Sequence, residues 1–138
     1  MEIDVVTGHI VDAAVRLHKR LGPGLFESVY ERLLAQDLER RGLRVERQKL
    51  VGFTFEGLHF EDGFRVDLLV DHQVIVEVKS IEQLAPVHAK QLLTYLRILD
   101  LRAGLLINFG CATLKEGLRR IVNNYSLPVS AAPRPSSA

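Results

Sequence analysis

A chain of 138 residues, 47% apolar and 25% charged, is sized for one domain and too apolar to remain disordered. Lys and Arg number 18 against 17 Asp and Glu, and a net charge of +1 argues against a protein that grips nucleic acid through an overall positive field. No apolar run approaches the roughly 20 residues that span a bilayer, the acidic start Met1-Glu2-Ile3-Asp4 lacks a signal-peptide pattern, and Cys111 has no partner for a disulfide; a cytoplasmic protein without membrane contact is expected.

Ile3, Val6, Ile10, Ala14, Leu17 and Leu21 recur at intervals of three and four, which puts them on one face of a helix over about 3–21. Asp12 and Arg16 on the other face have the spacing of a surface pair. Gly22-Pro23-Gly24 stops that helix, and a second is expected over about 25–41, with Phe26, Val29, Tyr30, Leu33, Leu34 and Leu38 as its apolar positions and Gly42 as its stop. Residues 44–79 are short runs of β-formers broken by turn signals, which predicts a meander with strands near 44–55, 58–61, 64–70 and 74–79. Pro86 opens a third helix with Leu92, Leu93, Leu96 and Leu99 as its stripe. Leu105 to Phe109, bounded by Gly104 and Gly110, suits a buried strand, and a last short helix is expected over about 114–124. The plan is one mixed α/β domain over 1–125, followed by a flexible Pro/Ser/Ala-rich tail over 126–138.

The chemistry concentrates between Asp67 and Lys79. Side chains alternate along a strand, so Glu77 and Lys79 share one face of Val74-Ile75-Val76-Glu77-Val78-Lys79. With Asp71-His72-Gln73 as the hairpin loop, Asp67 falls directly opposite Glu77. Facing carboxylates repel across a strand pair, unless a divalent cation such as Mg²⁺ reverses the sign of the interaction. A lysine beside them suits orientation of a water or neutralisation of charge on a phosphate in the transition state. Glu27 begins the second helix, Tyr30 lies one turn along, and Gln91 and Tyr95 stack on one face of the third. Taken singly, Glu27 also fits an acid complementing the helix dipole, and Tyr95 a core aromatic.

The remaining candidates are weaker. No histidine pair has zinc spacing, His72 and His88 are expected at the surface, and Cys111 is expected to be structural. Gly22-Pro23-Gly24 lacks the ending of a phosphate-binding loop. Arg40-Arg41, Arg44, Arg47 and Arg119-Arg120 could form a phosphate track, with ordinary solvated charge as the default.

Gly24-Leu25-Phe26-Glu27-Ser28-Val29-Tyr30 resembles the signature of the GxxExxY protein family, and Asp67 with Glu77-Val78-Lys79 resembles the core motif of the PD-(D/E)XK nuclease superfamily to which that family belongs. Leu21 to Gly24 and Gly104 to Gly110 also look like the family, and Gln91-x-x-x-Tyr95 resembles a helix element of its exonuclease-type members. The resemblance implies a restriction-endonuclease-like core, with a mixed central β-sheet, an antiparallel meander and flanking helices. By position it makes Asp67 and Glu77 metal ligands, with Glu27 supporting the metal, Lys79 the catalytic lysine, and Tyr30, Gln91 and Tyr95 substrate-binding or supporting residues. The expected activity is Mg²⁺-dependent hydrolysis of phosphodiester bonds by a metal-activated water, with Mn²⁺ as a substitute. Expected partners are nucleic acid, DNA ahead of RNA, and a second copy in a homodimer. The alternative is a non-cleaving module that binds nucleic acid or protein, or a nuclease subunit active only with a protein partner.

Overall fold

The computed structural model describes residues 1–124 and the backbone of Ser130–Pro133. Helix α1 (Ile3–Leu21) and helix α2 (Glu27–Arg40) are followed by strands β1 (Val45–Phe55), β2 (Leu58–Val70) and β3 (Val74–Lys79). Helix α3 (Pro86–Leu99), strand β4 (Ala103–Asn108), the single turn α4 (Leu114–Gly117), strand β5 (Leu118–Val122) and strand β6 (Ser130–Pro133) complete the order. The strands form one sheet in the order β5-β4-β3-β2-β1-β6, antiparallel throughout except for the β3–β4 pair, which is parallel and connected through α3. No helix among the described residues is long and apolar enough to cross a membrane.

Two apolar layers sandwich the sheet. Val6, Ile10 and Leu17 of α1 and Tyr30, Leu34 and Leu38 of α2 pack on Val74, Val76 and Val78, whereas Leu92 and Leu96 of α3 pack on Ile75 of the opposite face. Strand period then dictates that Glu77 and Lys79, in phase with Ile75, face α3. Burial on both faces is why β3 and β4 read as continuous apolar runs.

Several sequence expectations are corrected. Strands expected near 58–61 and 64–70 are one strand. Val51 opposes Phe64 and Phe53 opposes Phe60, so Asp62-Gly63 lies in a bulge opposite Gly52 instead of making a turn. A side chain at Gly63 would overlap the Phe53 ring, which explains the glycine there. The helix expected over 114–124 ends after one turn and becomes β5. Leu114, Leu118 and Ile121 satisfy a helical period, but the open edge of β4 offers the backbone a ladder instead, and a side chain at Gly117 would overlap the Asn108 carbonyl. Asp12 and Arg16 pair across helices, not along α1: Arg16 reaches Asp37 at 3.3 Å, and Arg41 reaches Asp12 at 2.8 Å. Phe26, expected on the α2 stripe, precedes the helix in extended backbone and is 82% exposed. Of the segment expected as a tail, Ser130–Pro133 pairs with β1, and the remainder lies outside the described residues.

Candidate active site

The β2–β3 hairpin closes over Asp71, His72 and Gln73, with the first two in the left-handed region at φ 55° and 57°. That loop fixes the pairs Val70↔Val74, Leu69↔Ile75 and Leu68↔Val76, one step short of the expected Asp67–Glu77 pair. The backbone ladder stops there, and side chains replace it. The Asp67 N–H donates to Glu77 Oε2 at 3.1 Å, and the Val78 N–H donates to Asp67 Oδ2 at 2.8 Å. Each carboxylate thus satisfies a backbone donor of the other strand. Val66 packs in the α3 layer although period two from Leu68 assigns it to the other, so the alternation slips by one at Asp67.

Glu77 is only 7% exposed. Burial pushes its carboxyl up to about 9, reinforced by the Asp67 charge and a hydrogen bond to the Asp67 side chain, while the Asp67 N–H and the Lys79 charge pull it down. Lys79, half-buried two residues along, accepts the Phe109 N–H on its carbonyl at 2.8 Å, while its ammonium forms no hydrogen bond or ion pair among the described residues. Tyr95 presents its ring from α3, stacked on Phe64 at 4.1 Å. Its hydroxyl is shifted upward by burial and then by the charges of Glu77 and Asp67. Gln91 is exposed one turn earlier on α3.

Glu27 and Tyr30 reach the site indirectly. Glu27 Oε2 accepts from the Ser80 N–H at 3.3 Å, and Ser80 Oγ donates to the Leu25 carbonyl at 2.6 Å, so the segment entering α2 is clamped to the residue after Lys79. Tyr30 is fully buried and stacks on Phe109 at 4.4 Å. Its hydroxyl donates to Gly22 O at 2.6 Å and accepts from the Leu25 N–H at 3.2 Å, a position that braces the turn and leaves no surface for substrate. An open cleft of about 800 Å³, lined by Phe26, Glu27, Ser80 and Ile81 among others, lies along this junction.

Three residues that sequence reasoning missed hold these parts. Gln48, left-handed at φ 50°, lies between the pairs Arg47↔Leu68 and Lys49↔Val66, across from Asp67. Its amide donates to Asp67 Oδ1 at 3.4 Å and to Glu31 Oε1, and buried Glu31 also pairs with Arg47 at 2.9 Å. Glu31 falls one helical turn after Glu27, the one signal by which it could have been found. Asn108, fully buried, accepts from the N–H groups of Ile81 and Gly110 at 3.0 Å each and donates to Ile81 O at 2.9 Å. It was visible as the polar residue in the run Leu105-Leu106-Ile107-Asn108-Phe109.

Among the described residues no three His, Cys, Asp or Glu side chains gather as a metal cluster, so Glu27 does not join Asp67 and Glu77 as a third close ligand. Two hard carboxylates, one forced to keep its proton by burial and by the other, nevertheless fit Mg²⁺, which commonly takes one or two carboxylates and completes its shell with water and phosphate. The arginine clusters are largely engaged within the chain. Arg41 binds Asp12 and Asp37, Arg44 the His72 ring, Arg47 Glu31, and Arg120 Asp4, while Arg119 donates to the carbonyls of Glu116 and Leu118. Neither the curated proteins nor the solved structures compared with the chain give a match. A family model described as the PD-(D/E)XK nuclease superfamily does match, over residues 4–121, a span that takes in both helices of the Glu27 junction, the Asp67–Lys79 hairpin and β4. With its restriction-endonuclease-like mixed sheet and flanking helices, this chain belongs to the PD-(D/E)XK nuclease superfamily.

Proposed function

We propose that the protein is a Mg²⁺-dependent nuclease of the GxxExxY type that hydrolyses phosphodiester bonds in DNA. The observation that carries the reading is the hydrogen-bonded proximity of Asp67 and Glu77, with the Lys79 charge acting on Glu77 from two residues along the same strand. Asp67 and Glu77 would hold the cation, which when bound supplies positive charge against the phosphate and lowers the pKa of a neighbouring water. Glu77 gives up its buried proton in that state, so ion binding is coupled to proton release. The Lys79 ammonium faces the same space and offsets negative charge that builds on the phosphate as the attacking oxygen approaches. Tyr95 and, one turn earlier on α3, exposed Gln91 would supply further substrate contacts from the helix that Glu77 and Lys79 face. Glu27 positions the Lys79–Ser80 exit of β3, and Tyr30 holds the turn that carries Glu27. Cutting both strands of a duplex would call for two such sites, hence a homodimer, which sedimentation of the full chain tests directly.

The decisive assay incubates the protein with labelled single- and double-stranded DNA and RNA in Mg²⁺, Mn²⁺ or excess chelator, with Lys79→Ala alongside. The expected result is cleavage of DNA that the chelator abolishes and that Lys79→Ala lowers by about a hundredfold or more. Cleavage that survives chelation, or that Lys79→Ala leaves untouched, sinks the mechanism.

A further inference from the structure

Gln48 lies inside β1, yet its backbone is at φ 50°, in the left-handed region that a residue with a Cβ enters only at a cost in strain. The pairs of β1 with β2 run Val45↔Val70, Glu46↔Leu69 and Arg47↔Leu68 and resume at Lys49↔Val66, so Gln48 and Asp67 are the two residues stepped over. On the other side of β2, the ladder to β3 ends at Leu68↔Val76. Side chains take over at Asp67. The Val78 N–H donates to its Oδ2 at 2.8 Å, and the Gln48 amide donates to its Oδ1 at 3.4 Å. One donor on each oxygen sets the plane of the carboxylate and leaves lone pairs on both oxygens for a further ligand. The same Gln48 nitrogen donates to Glu31 Oε1. Arg47 binds the other oxygen of Glu31 through two nitrogens, at 2.9 and 3.2 Å, which leaves Oε1 to Gln48. Glu31 is buried on α2, so a line of bonds runs from that helix through Gln48 to Asp67.

We infer that Gln48 is a positioning residue of the cation site: anchored by Glu31, its amide aims the Asp67 carboxylate so that a divalent cation meets preset oxygens. The inference deepens the nuclease reading and rests on it for a cation at Asp67. The residue type suits the task. A neutral amide donates to two carboxylates at once. Lys or Arg in its place would set a fixed positive charge against Asp67 in competition with the ion, and Glu would add a third negative charge with no proton to donate. The strain has the same explanation. Glycine would relax the backbone at position 48 but would leave Asp67 Oδ1 without its donor, so the left-handed conformation is retained for what the side chain reaches. Hydrogen-bond partners of metal-binding side chains act in this way, and losing one typically weakens metal binding by about 10- to 100-fold.

Gln48→Gly separates this role from a contribution to the fold, because it removes the amide while easing the backbone. Full-length wild type and variant are unfolded with urea in chelator and titrated calorimetrically with Mn²⁺. The expected result is an unfolding midpoint no lower than that of wild type, with the Kd for Mn²⁺ raised by about 10- to 100-fold. Glu31→Gln tests the anchor. Arg47 takes the single oxygen of the new amide, and its NH₂ group then meets the Gln48 NH₂, donor against donor. This variant should also weaken Mn²⁺ binding, and the double variant should bind no more weakly than Gln48→Gly alone. A Kd in Gln48→Gly equal to that of wild type overturns the inference, as does a wild type that takes up no Mn²⁺. A lowered midpoint in chelator also overturns it, because Gln48 then serves the fold. Effects of the two single variants that multiply in the double overturn the anchor. If wild type cleaves DNA with a metal and Gln48→Gly binds Mn²⁺ and cleaves equally well, the positioning role fails and the nuclease reading stands. Weakened Mn²⁺ binding in Gln48→Gly, without cleavage by wild type in Mg²⁺ or Mn²⁺, supports the positioning role and removes the nuclease reading.

Discussion

Burial and the Asp67 charge keep the Glu77 carboxyl protonated up to about 9, against 4.5 for a free glutamate. In the metal-free protein the fold therefore holds a proton that the unfolded chain releases. Below about pH 4.5 both states are protonated and no difference arises. As the pH rises toward about 9 the unfolded state is progressively favoured, and above that the loss levels off. Metal-free protein should lose stability across this window, and Glu77→Gln, which has no proton to lose, should remove that component of the slope. At about pH 8 the variant should be more stable than wild type by about 2–4 kcal/mol, while Mg²⁺ should stabilise only the wild type. Urea unfolding in chelator over a pH series reads both effects, and parallel curves for the two proteins would remove the buried-carboxyl account.

At the scale of elements, the hairpin explains which parts of the site were legible. A strand period of two, a three-residue loop and the apolar flanks of β3 were enough to bring Asp67 and Glu77 together. That the backbone ladder ends at Leu68↔Val76 was not legible, because it depends on the left-handed Gln48 of a third strand and on Glu31 of a helix. The boundary between α4 and β5 was hidden for a related reason: Leu114 to Val122 satisfies both periods, and only the vacant edge of β4 decides between them. Asn108 shows how elements are joined at the site. Replacing it with Ala leaves the Ile81 N–H and carbonyl and the Gly110 N–H without their partner, at a cost of about 2–4 kcal/mol. Because Ile81 fixes the exit of β3, Asn108→Ala should also lower kcat at temperatures where the variant remains fully folded. A denaturant midpoint within error of wild type would show that the network is not needed to hold the loop.

For the whole molecule, the question is how a chain of net charge +1 holds a polyanion. Most guanidiniums of the two arginine clusters already have partners within the chain, so these clusters do not form a free phosphate track. The proposed contacts are instead local: Lys79 and a cation at Asp67 and Glu77 on one phosphate. Binding through counterion release weakens by about 0.7–0.9 in log K per phosphate for each decade of salt. A protein that neutralises one to three phosphates should therefore show a slope of only about −1 to −3, far below that of a basic groove. Its affinity should rise when Mg²⁺ is added, although Mg²⁺ weakens a purely electrostatic binder by competing for the phosphates. Anisotropy of a labelled single strand against Lys79→Ala, measured across salt concentrations with and without Mg²⁺, tests both signs. A steep slope together with inhibition by Mg²⁺ would mean that the chain binds through a positive surface, and that the Asp67–Glu77 pair is not what holds the strand.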